Sequence, residues 1–184
     1  MKNILVVGAH YDDAELGAGG IMTKLGQEGK RVYKLTLTDN ETHFKEKNIE
    51  VDKDSSLAMS NKACKILGVT ELDFPPKKCN YLKYSTEIMQ QVEHVIYEYD
   101  IDTLFCHYRY DVNKDHVAAA EICLTAGRHC TNVLAFQSNA YILEHSYYPT
   151  LFFDISDVIE MKRQAMFQYE GDHNRYGRLF DTVI

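Results

Sequence analysis

Residues 4–7 read Ile-Leu-Val-Val, and the chain then turns at once to Gly8, Ala9, His10, Tyr11, Asp12, Asp13, Ala14 and Glu15. The apolar run is the pattern of a buried strand over Asn3–Gly8, and residues 14–29 carry a helical pattern. The polar cluster therefore sits where a strand hands over to a helix, which is where open α/β sheets build their sites. One imidazole and two carboxylates at that turn bring metal-ligand and general-base chemistry. A purely structural reason for such a charge cluster beside a buried strand is hard to find.

Further along, strands and helices alternate. Residues 31–38 read as a strand of alternating polarity and residues 38–53 as a polar loop without periodicity. Residues 55–67 read as a helix, with Asp54 or Ser55 as N-cap and Gly68 as its stop. A short strand at 69–73 precedes the Pro75-Pro76 turn. Residues 86–99 form an amphipathic helix with Ile88, Val92, Val95 and Ile96 on one face. A strand at 103–106, a helix at 114–128, strand-like stretches at 132–138 and 150–153 and a helix at 156–169 follow, then a polar run at 170–178. This alternation predicts one domain over residues 1–184, a Rossmann-like, three-layer α/β fold with a mostly parallel sheet. Gly17, Gly19 and Gly20 are expected to let the first helix pack closely on that sheet.

The net charge of −7, with no basic cluster larger than a local pair, argues against nucleic acid or an anionic membrane surface as partner. No apolar window is long enough to span a bilayer, and the run after Asn3 is too short for a secretory signal. The five cysteines are odd in number and form no C-x-x-C pair, so buried, reduced thiols in a cytoplasmic setting are expected.

A second polar cluster, Asp111-Val112-Asn113-Lys114-Asp115-His116, follows the strand at 103–106 and opens the helix at 114–128. If the two strands are parallel, both clusters lie on one rim. Together they resemble the LmbE/PIG-L family of zinc-dependent N-deacetylases, which carries H-P-D-D-x-E after its first strand and a late D-x-[H/N]-x-D-H. Smaller echoes are Ile66-Leu67-Gly68-Val69, Leu72-Asp73-Phe74-Pro75 and Phe153-Asp154-Ile155-Ser156-Asp157, so the resemblance runs from residue 3 to about residue 170.

The resemblance implies a hydrolase that removes an N-acyl group, N-acetyl first, from an amino sugar or sugar conjugate, nucleotide-linked sugars included. It makes His10, Asp13 and His116 the ligands of one zinc or other divalent ion and Asp12 the general base. Glu15, Asp111, Asp115 and His107 become supports for those ligands, and Tyr11 and Arg109 weaker substrate contacts. A homo-oligomer is compatible with it. Three departures stand out. Tyr11 replaces a proline. Asn113 replaces a histidine; its amide can donate to an oxyanion but cannot shuttle protons, which leaves that work to Asp12. Ser56 and Met59 stand where an Arg and a Glu are common, and Arg109, Lys45 and Arg128 are the candidate replacements for that Arg.

Plainer readings stand beside these. Asp12 and Asp115 also suit helix N-caps, Glu15 suits the dipole of a first helical turn, and His107 suits a satisfied buried histidine. His43, His94, His129, His145 and His173 receive no role. The 13 tyrosines fit a sugar-binding or subunit surface no better than chance composition. A dinucleotide-binding protein fails on placement, because its glycines must lie between strand and helix, where His10 to Asp13 stand. A metal-binding, non-catalytic protein of the same fold is the alternative; a spare carboxylate at Asp12 argues against it.

Overall fold

The computed structural model describes residues 1–47, 49–139, 141, 143 and 145–169; the polar run at 170–178 lies outside them. Strand β1 (Asn3–Gly8) is the centre of the sheet. Ile4, Leu5, Val6 and Val7 are fully buried, as expected of a strand covered on both faces. On one side it pairs with β2 (Arg31–Thr36), which holds the short β3 (Thr70–Glu71) at the edge; on the other lie β4 (Thr103–His107) and then β5 (Asn132–Phe136). Every pairing in this sheet is parallel. The chain builds outward from β1 to one edge, then crosses back to start the other half. The crevice between the carboxyl ends of β1 and β4 is thus the switch point of a doubly wound sheet.

Side-chain alternation distributes the core. Ile4 and Val6 face one layer with α1 (Asp13–Gln27), α2 (Lys53–Leu67) and α3 (Ile159–Met166). Leu5 and Val7 face the other, with α4 (Thr86–Glu98) and α5 (Lys114–Ala126). In α4 the expected face, Ile88, Val92, Val95 and Ile96, is the buried one, and Ser85 caps it by accepting from the Ile88 amide.

Four local expectations need correction. The cap of α2 is Asp52, whose carboxylate accepts from the Ser55 amide at 2.9 Å, earlier than Asp54 or Ser55; Gly68 does stop the helix, in the left-handed region at φ +70°. The loop at 38–53 contains a two-stranded antiparallel ribbon, Thr42–Phe44 against Ile49–Val51, whose strands are too short to show a period. Residues 150–153 form no strand among the described residues; Leu151 and Phe152 stay exposed. Of the three glycines, only Gly17 meets the sheet: a Cβ there would lie 2.2 Å from the Phe136 ring of β5. Gly20 instead approaches Ile155, and Gly19 approaches Lys162 of α3.

Gly17→Ala gains helix propensity of up to ~1 kcal/mol but must displace a ring in a close-packed layer, at about 1–3 kcal/mol. A net loss of about 1–2 kcal/mol is expected in denaturant unfolding. Phe136→Leu in the same chain should recover part of it; additive losses would contradict this contact.

Candidate metal centre

The two polar clusters meet. β1 and β4 pair in register, Ile4 with Thr103 through Val6 with Phe105, so the turns leaving them open side by side. His10 Nδ1 and His116 Nε2 lie 3.3 Å apart. Asp13 reaches both, with Oδ2 at 3.2 Å from His10 Nδ1 and Oδ1 at 3.2 Å from His116 Nε2. Ligands about 2.0–2.1 Å from a tetrahedral cation stand roughly 3.3 Å from one another. The edge between the two imidazoles matches that spacing and one Asp13 oxygen lies as close to each ring, so His10, Asp13 and His116 could hold one divalent ion.

Each donor has its own anchor. His116 Nδ1 is held by Asp111 Oδ2 at 3.0 Å, and His10 Nε2 by Asp115 Oδ2 at 3.2 Å. Asp13 accepts the His10 main-chain N–H at 2.8 Å. Carboxylates behind ring nitrogens orient imidazoles for coordination. Asp115 is in turn fixed by the amides of Asn80 and Leu82. It is therefore a support for His10 and not the cap of α5; that cap is Asn113, whose Oδ1 accepts from the amides of Asp115 and His116.

The charges show what the donor set favours. Burial opposes protonation of His116, but the charge of Asp13 and the bond to Asp111 overcome it and lift its pKa to about 9. Burial likewise opposes protonation of His10, yet Asp115 and Asp13 hold its pKa well above the usual value. Asp13 is buried too, and the surrounding imidazoles keep it well below the normal carboxylate range. Protons gather where a dication would neutralise Asp13, Asp111 and Asp115. His107 differs: burial pushes its pKa down despite Asp13. The Ala9 amide donates to its Nε2 at 3.0 Å, and its ring stacks on His116 at 4.0 Å. It braces the ring of one donor and the strand end that carries the other.

Asp12 occupies the N-cap position of α1, but its side chain makes no capping bond to that helix. It stands between Tyr11 and Asp13 in the turn from β1 to α1, partly exposed. The Tyr11 ring is buried, 5.7 Å from Lys34 Nζ, so it lines the underside of the turn. Arg109 is exposed on the loop after β4, against the Tyr110 ring. Lys45 lies in the single helical turn inside the 42–51 ribbon. Arg128 follows α5 at the end opposite His116 and pairs with Glu93 at 2.7 Å, which removes it from the crevice. Ser56 is buried and accepts from Asn40 Nδ2.

Sequence reasoning missed what lies beneath. Lys34 of β2, fully buried, bonds the Tyr11 carbonyl oxygen, Glu15 Oε1 at 2.7 Å and Ser60 Oγ at 2.6 Å, with Glu71 Oε2 at 3.1 Å. Alternating polarity in residues 31–38 suggests a solvated lysine; α1 and α2 cover that face instead. The signal was available in Glu15, a carboxylate in a helix that an α/β fold must bury. Glu15 touches none of the three donors; burial, against the pull of Lys34, raises its pKa to about 7. Cys79, also unforeseen, clusters with His10 and Asp115.

The family described as PIG-L, GlcNAc-PI de-N-acetylase, matches residues 5–127. The uncharacterized deacetylase YaiS of Escherichia coli (strain K12) is 24% identical over 164 residues, covering 85% of this chain and 83% of that protein. Among solved structures, the N,N'-diacetylchitobiose deacetylase from Pyrococcus horikoshii superposes with a TM-score of 0.79 at 17% identity, over 99% of this chain and 76% of that one. The 4-carboxy-2-hydroxymuconate hydratase GalB from Pseudomonas putida KT2440 does so equally, at 0.79 and 18% identity, over 100% and 85%. No helix among the described residues is long and apolar enough to cross a membrane.

In metal-free protein, His116 is protonated up to about pH 9 when folded and to about pH 6.5 when unfolded. Its stabilising contribution is complete below that lower value and drains away as pH rises toward the upper one. His10 acts in the same direction. The melting temperature of metal-free protein should fall between about pH 6.5 and 8.5, and His116→Ala should flatten that fall. A wild-type midpoint constant over the interval would contradict the assignment.

Proposed function

The chain belongs to the PIG-L, GlcNAc-PI de-N-acetylase family, and from that membership we propose that it is a metal-dependent hydrolase removing an N-acetyl group from an amino sugar or its conjugate. The observation that carries this reading is the convergence of His10, Asp13 and His116 at mutual distances of 3.2–3.3 Å beside a carboxylate that does not cap its helix. The named activities of YaiS and of the chitobiose deacetylase agree with it.

His10, Asp13 and His116 would hold one divalent ion, zinc by the nature of the donors: two imidazoles and one carboxylate. When bound, such an ion polarises a carbonyl and lowers the pKa of water to roughly 7. Asp111 and Asp115 keep both imidazoles turned toward it. Asp12 accepts the proton of the attacking water and returns it to the amine nitrogen as the C–N bond breaks, releasing acetate. Because Oδ1 of Asn113 is spent on the α5 cap, its Nδ2 is the atom that remains to donate to the developing oxyanion. Asp12 then handles both proton transfers. Arg109 and Lys45 remain as cations for a charged conjugate such as a nucleotide sugar, and Tyr11 supports the turn from below.

The test is release of acetate by the zinc-loaded protein from a panel of N-acetylated amino sugars and nucleotide sugars, with 2-hydroxymuconate-type dienes as a control for water addition. Hydration without acetate release would replace this reading by the chemistry of the GalB neighbour. Metal binding without either turnover would favour a non-catalytic member of the fold. Asp12→Asn should retain one metal per chain yet lower turnover at least ~100-fold; near-normal turnover removes the assigned base. His116→Ala should lose most of the bound metal, and an unchanged metal content would show the donor set to be wrong.

A further inference from the structure

Beneath the crevice lies a buried polar cluster that metal binding and proton transfer do not use: Lys34, Glu15, Glu71, Ser60 and Tyr169. Its members come from β2, α1, β3, α2 and the single helical turn Phe167–Tyr169. Lys34 and Glu15 have no solvent exposure at all. Burying an ammonium and two carboxylates is costly, and an apolar trio of similar volume often serves stability as well or better. The cluster therefore calls for another reason, and its hydrogen bonds supply one. Two of its donors, Lys34 Nζ and Tyr169 Oη, converge on the main-chain oxygen of Tyr11, the latter at 2.7 Å. Glu15 Oε1 accepts from Lys34 Nζ at 2.7 Å and, at 2.8 Å from Tyr169 Oη, shares that hydroxyl's single proton with the Tyr11 oxygen, which fixes the direction of both groups. Glu71 is held by Thr36 Oγ1 at 3.0 Å and Ser60 Oγ at 2.6 Å and steadies the ammonium from the far side.

The Tyr11 oxygen belongs to the planar unit that ends at the Asp12 Cα. Two donors on that oxygen set the tilt of the plane, and with it the direction in which the Asp12 side chain leaves the backbone. We infer that Lys34 is a positioning residue, whose buried ammonium, with Tyr169, clamps the Tyr11 carbonyl and so aims the Asp12 carboxylate for the hydrolysis proposed above. This rests on that reading of Asp12. The metal donors are anchored independently, by Asp111, Asp115 and the His10 amide. Loss of the clamp should therefore misplace the base while sparing the metal.

Lys34→Met alone would strand two buried carboxylates, so the informative variant is Lys34→Met/Glu15→Gln/Glu71→Gln, in which the charge is balanced. Tyr169→Phe removes the second donor separately. With zinc loaded, the triple variant should bind one metal per chain, keep KM within about twofold and lose at least ~10-fold in kcat, as expected for a misaimed catalytic group; Tyr169→Phe should lose less. A triple-variant kcat within about twofold of wild type overturns the inference, as does a fall in kcat matched by an equal loss of bound metal. The Tyr11 carbonyl 13C resonance gives a readout independent of substrate. It should move upfield in both variants, and an unchanged resonance overturns the clamp even if wild type deacetylates nothing on the panel, an outcome that by itself sinks only the hydrolase reading.

Discussion

Everything at the site is referred to one parallel pairing, β1 against β4. Once Ile4 lies beside Thr103 and Val6 beside Phe105, the turns that follow the two strands have no choice but to open next to each other. His10 and His116 are 106 residues apart in the chain, yet their ring nitrogens come within 3.3 Å. The pairing is secured by burial on both faces, since Ile4, Val6 and Phe105 enter one apolar layer and Leu5, Val7 and Leu104 the other. A slip of one residue would exchange the two layers and move both turns out of step. Hydrophobic burial, rather than any bond between site residues, is what brings the chemistry together.

The electrostatics then follow from crowding acids and imidazoles into that crevice. Asp13, Asp111 and Asp115 are nearly inaccessible to water, as are His107 and His116. Each carboxylate is tied to a ring nitrogen or to main-chain amides, which keeps it ionised against the cost of burial. The site is therefore a cage of fixed negative charge that welcomes a proton or a cation. A second charged layer lies one turn deeper, around Lys34. On α2 the small side chains of Ser56 and Ser60 are fully buried. The buried cation beside them, Lys34, comes from β2.

Small departures from the family pattern gain a physical meaning here. Tyr11 lacks the fixed φ of a proline, and its carbonyl is held by two side-chain donors instead. Asn113 caps α5 through its oxygen, a task a histidine performs poorly, and thereby orders the turn that presents His116. Fold likeness at 17–18% identity spans a deacetylase and a hydratase alike. What such proteins have in common is the fold; the side chains of the site decide the chemistry.

From the residues alone one could read the alternation of strands and helices, the central strand at Asn3–Gly8, and the two clusters whose pairing implies a metal centre. These are local signals: an apolar run, a helical period, a motif of adjacent side chains. The 42–51 ribbon escaped because strands of three residues leave no period, and the stretch at 150–153 misled because apolar residues there remain exposed. Lys34, Glu71 and Cys79 escaped for a deeper reason. Each lies on a different element from the group it serves, and whether a lysine in a strand faces water or a carboxylate depends on which helix covers that face. Which chemistry is present, and on which turns it rides, is written in adjacent residues. Only the packed layers decided which atoms meet, which charges are shut away from water, and which carbonyl the buried ammonium holds, because those depend on contacts between segments far apart in the chain.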